Sequence, residues 1–306
     1  MVQETLRIAT RKSQLALWQA HYIRQKLEQL YSGIIIEIVP LITEGDRLLS
    51  ARLADFGGKG LFVKELEQAL LSNQADIAVH SMKDLPVSFP DRLMLGAICQ
   101  REDPRDVFIA NHHSSLKLLP KGARVGTSSL RRQCQLRRCR DDIELINLRG
   151  NVDTRLRKLD EEEFDAIILA AAGVKRLGFA DRISEFLPEE SFIPAVGQGA
   201  LGIECRDQDD RVAKLIWPLN HLETALCVTA ERRMNECLGG GCHAPIAAHA
   251  TFENDNLVLR GMVANPFTYE YLEDEISGSD PQEVGLELAE RLLAKGAKKL
   301  LAGDKH

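Results

Sequence analysis

The chain has 306 residues, 44% hydrophobic and 27% charged, with seven cysteines and a net charge of −6. That length asks for two or three domains rather than one core, and the ordinary apolar and charged fractions exclude a disordered or fibrous chain. The acidic balance argues against a general nucleic-acid surface, and no apolar run approaches the roughly 20 residues of a membrane helix.

The first residues lack the charged-then-apolar pattern of a leader. Seven irregularly spaced cysteines suit a reducing, cytoplasmic setting better than a disulfide framework, so most of them are expected to be buried small apolar groups. Leu6 to Ala9 reads as a first strand, followed by a polar turn at Thr10 to Ser13 and a helix whose Leu15, Trp18, Tyr22 and Leu27 recur at helical spacing. Ser13 is placed to cap that helix. Ile34 to Val39 is a β-branched second strand, which makes the opening a β-loop-α-β unit with a parallel crossover.

Thr43 to Gly60 is polar and holds four glycines, and has no periodicity until Leu61 to Leu66 starts a helix. Such a loop is either a lid over a binding site or a variable surface insertion. In Asp76 to Pro86 an apolar strand, Ile77 to Val79, ends in a turn that presents Ser81, Lys83 and Asp84 before Pro86 forbids a regular continuation. Open α/β sheets place their ligands beyond such strand ends, so Asp84 is the candidate reacting carboxylate; a surface turn with a solvated ion pair is the alternative. Leu95 to Cys99 is a further apolar run, and Gln100 to Arg105 reads as a linker.

From Val107 the grammar repeats. Arg124 to Arg132 is a strand end, a Ser/Thr-rich turn and a helix start; Ile143 to Leu148 leads through Arg149 into a helix containing Arg155; and Asp165 to Ala170 leads to Lys175 and Arg176. Leu201 to Glu204 is a strand able to return the chain to its first domain. After His221 come a helix from Glu223 to Cys237, a glycine-rich loop from Gly239 to Pro245, three strands (Ile246 to Phe252, Leu257 to Met262, Tyr269 to Ile276) and a helix from Glu283 to Lys295. The turn cluster at Glu253 to Asn256 favours antiparallel pairing, which makes this a small α+β domain. The domains expected are 1–99 with 200–217, then 105–193, then 222–306.

Four strand-to-helix turns carry hydroxyls or arginines: Arg11 with Ser13, Thr127 to Ser129 with Arg131 and Arg132, Arg149 with Arg155, and Arg176. Free N–H groups and the positive end of a helix dipole make such turns anion sites, and guanidinium forks add bidentate carboxylate binding. A ligand with several carboxylates or phosphates fits this pattern, and capping salt bridges are the alternative at any one site. Arg137, Arg138 and Arg140 lie at a helix end and read as a solvated face. Cys242, between glycines and a proline, could be an unreactive thiol, a nucleophile, or a metal ligand with Cys237, His243 or His249. The Cys237 to Cys242 spacing is not that of a usual zinc pair.

Ile8 to Ala16, Gly57 to Phe62, Ala78 to Asp84, Gly126 to Arg132, Leu148 to Asn151 with Thr154 to Leu156, and Gly240 to Cys242 together resemble the porphobilinogen deaminase (hydroxymethylbilane synthase) family, in order and across nearly the whole chain. The resemblance implies an α/β fold with two periplasmic-binding-protein-like lobes of mostly parallel sheets, a cleft between them, and a small α+β C-terminal domain. It implies a dipyrromethane cofactor joined by a thioether to Cys242 and no metal. On that primer four porphobilinogen units are condensed with loss of ammonia, and the linear tetrapyrrole is released by hydrolysis, a step of haem synthesis. Asp84 matches the family's catalytic aspartate. Lys83, Ser129, Arg131, Arg132 and Arg155 match groups that hold the cofactor's carboxylates, and Arg11, Ser13, Arg149 and Arg176 match groups that receive the substrate's acid arms. Phe62 matches an aromatic beside the incoming pyrrole. The implied partner is porphobilinogen, with no nucleic acid or membrane, and the enzyme is expected to be a monomer. Where the family pattern has basic residues, this chain has Glu44 and Asp55, which makes the lid more acidic. A non-catalytic binding protein of the same two-lobed fold, or a cysteine hydrolase using Cys242, are readings of other classes.

Overall fold

The computed structural model describes residues 5–47, 63–241 and 244–303. Cys242, Phe62 and Asp55 therefore lie outside the described residues, as does most of the proposed lid. The chain divides into two compact units, Met1–Glu102 with Ala200–Ala225 and Asp103–Gly199 with Leu226–His306.

The first unit is built on β1 (Thr5–Arg11), α1 (Gln14–Leu30), β2 (Ile35–Leu41), the short α2 (Glu44–Arg47), α3 (Lys64–Leu71), β3 (Ile77–Ser81), β4 (Leu93–Ile98) and the later β10 (Leu201–Arg206) and α7 (Asp210–Ile216). Its sheet runs β2-β1-β3-β10-β4. Alternation along the strands supplies two faces. Leu6, Ile8, Ile77, Val79 and Ile203 pack against Ala20, Ile23 and Leu27 of α1, while Ala9 and Ala78 pack against Leu66, Ala69 and Leu70 of α3. Small residues on the second face let α3 approach closely. The strand that returns to this sheet does so as the sequence suggests, and β10 lies antiparallel to both β3 and β4.

In the second unit, β5 (Asp106–Ile109), β6 (Arg124–Gly126), α4 (Leu130–Cys139), β7 (Glu144–Ile146), α5 (Val152–Asp160), β8 (Ala166–Ala170), α6 (Ala171–Arg176) and β9 (Glu185–Phe186) form a sheet of order β7-β6-β8-β5-β9 with helices on both faces. Its companion is the antiparallel sheet β11 (Ile246–Glu253), β12 (Asn256–Ala264) and β13 (Tyr271–Gly278). One side of that sheet is covered by Ala230 and Met234 of α8 (Leu222–Cys237) and by Leu288 and Leu292 of α9 (Pro281–Ala294). On its other side, Ala247, Met262 and Ala264 meet Cys134 of α4 and Ile193.

The two five-stranded sheets repeat one plan: two parallel and two antiparallel pairings each. In each, four strands run the same way, as expected of mostly parallel sheets, and one strand, β10 or β5, runs against them. Periodicity along a strand reports which face is buried and carries no direction, so the reversal at β10 and at β5 could not be read from it.

Candidate active site

The first unit gathers its polar groups at the C-terminal ends of β1 and β3. Arg11 ends β1, and Ser13 caps α1, its hydroxyl accepting from the Ala16 N–H at 3.3 Å. Gln19, buried on α1, donates through Nε2 to Ser81 Oγ at 2.8 Å. After Ser81 the chain enters a single 3-10 turn, Met82–Asp84, closed by the Leu85 N–H donating to Met82 O (3.3 Å) and tied to β10 by the Met82 N–H donating to Ala200 O (3.1 Å). Buried Met82 anchors that turn, and a Cβ at Gly202 would collide with its sulfur, so β10 needs glycine there. The result is an exposed Asp84 and a half-buried Lys83. Asp84, Arg11, Ser13, Gln19 and Ser81 line one pocket together with His80.

Strand β3 carries a carboxylate just before its other end too, with a different fate. Asp76 accepts from Arg7 Nε (3.0 Å) and Nη2 (2.9 Å) and from Arg206 Nη2 (3.2 Å). Burial pushes Asp76 up, but the Arg7 and Arg206 bonds outweigh it and leave the carboxyl below its ordinary value. That end is sealed by salt bridges, whereas the Asp84 end opens to a pocket.

In the second unit the Ser/Thr turn sits between β6 and α4. Ser129 caps α4, accepting from the Arg132 N–H at 3.5 Å, and Ser128 Oγ donates to Leu148 O at 2.6 Å. Arg131 and Arg132 are only 4% and 6% exposed, and they share one wholly buried partner, Asp106. Arg131 Nη2 stands 2.7 Å from Asp106 Oδ2, and Arg132 Nη2 and Nε donate to Oδ1 at 2.7 and 3.0 Å. Gln198, also buried, adds its Nε2 to Oδ1 at 3.0 Å and to Pro104 O at 2.6 Å, and its own Oε1 has no hydrogen-bond partner among the described residues. Burial pushes Asp106 up, but the Arg131 and Arg132 charges overcome it and hold the carboxyl below its ordinary range. Burial lowers Arg131, and Asp106 restores only part of that.

Two guanidinium groups against one carboxylate leave one positive charge in excess beside the N-terminus of α4. An acidic ligand group would complete that balance, so the residues present fit a carboxylate-bearing cofactor. Arg155 Nε donates to Gly150 O (2.7 Å) at the start of α5, and Gly150 has φ +116°, a conformation suited to glycine. Arg149 is half-buried beside it, and Arg176 at the end of α6 donates to Gly199 O at 2.7 Å.

The sequence therefore brings Arg11, Ser13 and Asp84 to one pocket in the first unit. In the second unit Ser129, Arg131 and Arg132 share one helix start. Composition and spacing give no notice of Gln19, His80, Asp106, Gln198 or Glu204; the available signal is a charged or amide residue inside an apolar strand or helix face. Arg138 is exposed and Arg137 and Arg140 are half-buried, so this face meets solvent, yet each arginine is also tied down. Arg137 donates to Asp141 O and Ile143 O, Arg138 pairs with Glu273 at 2.7 Å over the Tyr271 ring, and Arg140 bonds Asp142 and three backbone carbonyls. Arg137 and Arg140 find partners within a few residues as well as on the 116–119 segment, and only Glu273 lies far along the chain.

Of the described cysteines, Cys99, Cys134, Cys205 and Cys227 are buried, as expected. Burial pushes the Cys134 and Cys205 thiols up to about 11. The glycine-rich loop leaves α8 through Gly239 at φ +66°, with the Gly240 N–H donating to Asn235 O (2.9 Å) and the Ala244 N–H to Gly241 O (3.0 Å). His249 is 2.9 Å from Glu189, an ion pair that lowers the Glu189 carboxyl. Glu44 is exposed, and its N–H donates to Glu65 Oε1 at 2.7 Å.

Residues 6–214 match the family model described as porphobilinogen deaminase, dipyromethane cofactor binding domain, and residues 225–294 match that described as porphobilinogen deaminase, C-terminal domain. Among solved structures, the chain is similar to the methionine-binding protein MetQ at 12% identity, covering 70% of this chain and 89% of that one with a TM-score of 0.46. A nutrient-binding protein of Burkholderia cenocepacia bound to methionine matches at 12% identity, 72% and 93% coverage and a TM-score of 0.44. The periplasmic VFT2 domain of Bordetella pertussis BvgS matches at 16% identity, 70% and 86% coverage and a TM-score of 0.42.

Proposed function

Since the chain belongs to the porphobilinogen deaminase family, we propose that the polar cluster around Asp84 is its reacting site and the cluster around Arg131 and Arg132 its cofactor cradle. The activity is the head-to-tail condensation of porphobilinogen with loss of ammonia, in tetrapyrrole biosynthesis, on a dipyrromethane cofactor. When bound, the cofactor supplies the pyrrole carbon to which the first unit is added.

The observation that carries the reading is the turn after β3, which places one carboxylate in a pocket with Arg11, the capped start of α1 and Ser81. In that role Arg11 and Ser13 receive an acid arm of the substrate, and Asp84 faces the pyrrole N–H. A carboxylate there stabilises the positive charge that develops on the ring as the C–N bond to ammonia lengthens. Ser129, Arg131, Arg132, Lys83 and Arg155 hold acid groups of the cofactor, while Arg149 and Arg176 serve those of the substrate. Support for the cradle comes from the single excess charge around Asp106.

Attachment falls to Cys242 in the glycine-rich loop. Four of the other six cysteines are buried, where a thiolate is costly. Intact mass tests this: the wild-type protein from expressing cells carries extra mass, Cys242→Ser protein carries none, and peptide mapping places the addition on Cys242. Added mass on Cys139 or another thiol would end the assignment. No helix among the described residues is long and apolar enough to cross a membrane. The same reading makes the enzyme a cytoplasmic monomer, and the irregular cysteine set supports the reducing compartment.

A further inference from the structure

His80 and Glu204 stand on neighbouring antiparallel strands, β3 and β10, with side chains 5% and 0% exposed. His80 Nε2 is 2.9 Å from Glu204 Oε2, and Glu204 Oε1 is buried with no hydrogen-bond partner among the described residues. A carboxylate can only accept, so Nε2 is the ring nitrogen that donates in this contact and Nδ1 is the one it leaves over. Nδ1 has no partner among the described residues, and His80 lines the pocket that contains Asp84. Nearby on α3, burial and the Glu204 charge raise the Glu67 carboxyl. An imidazole in the wall of a ligand pocket, held through one nitrogen by a buried carboxylate, is the arrangement of an oriented base. A merely structural pair would not need its histidine at the pocket wall.

We propose that His80 is the proton acceptor of the condensation and that Glu204 is its positioning residue, an inference that rests on the Asp84 pocket being the reacting site. The aminomethyl group enters as the ammonium, and as its C–N bond breaks ammonia leaves with the electron pair. The free α-carbon of the terminal pyrrole then gives an electron pair to the exposed methylene, forming the C–C bond. That carbon's hydrogen passes as a proton to His80 Nδ1, and the C–H electron pair returns to the ring. His80 hands the proton to the departed ammonia, which becomes ammonium, and is neutral for the next round. Asp84 is left the separate task of stabilising the cation, so two groups divide what one carboxylate would otherwise do twice.

The test uses cofactor-loaded protein and porphobilinogen carrying deuterium at its free α-carbon, which reports every round after the first. His80→Gln keeps the reach to Glu204 and has no basic nitrogen, so kcat falls by about 10²-fold or more, with thermal midpoint and cofactor mass retained. The deuterium isotope effect on kcat rises above that of the wild type, because proton removal has become the slow step. Glu204→Gln shows a smaller loss with the same rise. Nitrogen-15 NMR of the wild type finds the proton on Nε2 of His80. An isotope effect that stays at the wild-type value in both variants overturns the proposal whatever the rate does, and so does a proton found on Nδ1 alone. If His80→Gln does not fold, Glu204→Gln and the NMR decide. Failure of the underlying site reading is seen separately, as unimpaired ammonia release by Asp84→Asn.

Discussion

Cofactor-loaded Asp84→Asn protein is expected to release ammonia at least about 10²-fold more slowly than the wild type in a single turnover, the loss typical of one oriented stabilising group. The substitution keeps size and most hydrogen bonding and removes only the charge. The fold should not notice, because the turn is held by Met82, its bond to Ala200 O and the Leu85 N–H, and Asp84 itself is exposed. Asp84→Glu keeps the charge and displaces it by about one methylene, so it retains measurable release if electrostatic stabilisation dominates. Loading the cofactor first prevents failed assembly from imitating failed chemistry. Near-normal release by Asp84→Asn would move the stabilising role to another group.

Asp106→Asn should damage the fold rather than the chemistry. Its carboxylate is wholly buried and is the shared counter-ion of Arg131 and Arg132. Removing one partner of a buried pair leaves uncompensated charge and costs about 3–5 kcal/mol, which for a unit of this size lowers the thermal midpoint by about 10 °C or more. The acid behaviour changes with it. The native carboxyl lies below its ordinary value, so its contribution is full above the unfolded-state range near pH 4 and is lost as pH falls through the folded value. The variant lacks that part of the acid dependence. Thermal melts of both proteins across the acid range read both effects, and a variant with an unchanged midpoint would show that the two arginines find their compensation elsewhere.

Local signals foretold local structure. Ser13 caps its helix as its position before an apolar periodic run suggests, and the turns with Arg11 and with Ser129 do follow strands, whereas Arg176 ends α6 instead of standing at its start. What stayed hidden is pairing between distant segments. His80 and Glu204 are 124 residues apart and Asp106 and Arg132 are 26 apart, and no periodicity links such positions. A charged residue inside an apolar strand, as Glu204 is inside Leu201–Arg206, signals that a partner must exist without saying where. Asp84 was legible because its turn is local and ends at a proline. The role proposed for Cys242 rests on the family resemblance and on its glycine-rich loop, since the residue lies outside the described ones.

The position of β10 fixes the order in which the sheets can be finished as the chain is made. The first sheet inserts Leu201–Arg206 between β3 and β4, so no nascent chain ending before Arg206 can hold it complete. The five-stranded sheet of the second unit draws every strand from between Asp106 and Phe186. Its strands have all emerged while β3 and β4 still lack the neighbour that joins them, with Ile98 and Leu201 separated by the whole of that later sheet. The part of the sequence translated first thus contains the sheet that closes second, and its unpaired edges stay open to solvent or chaperone through that interval.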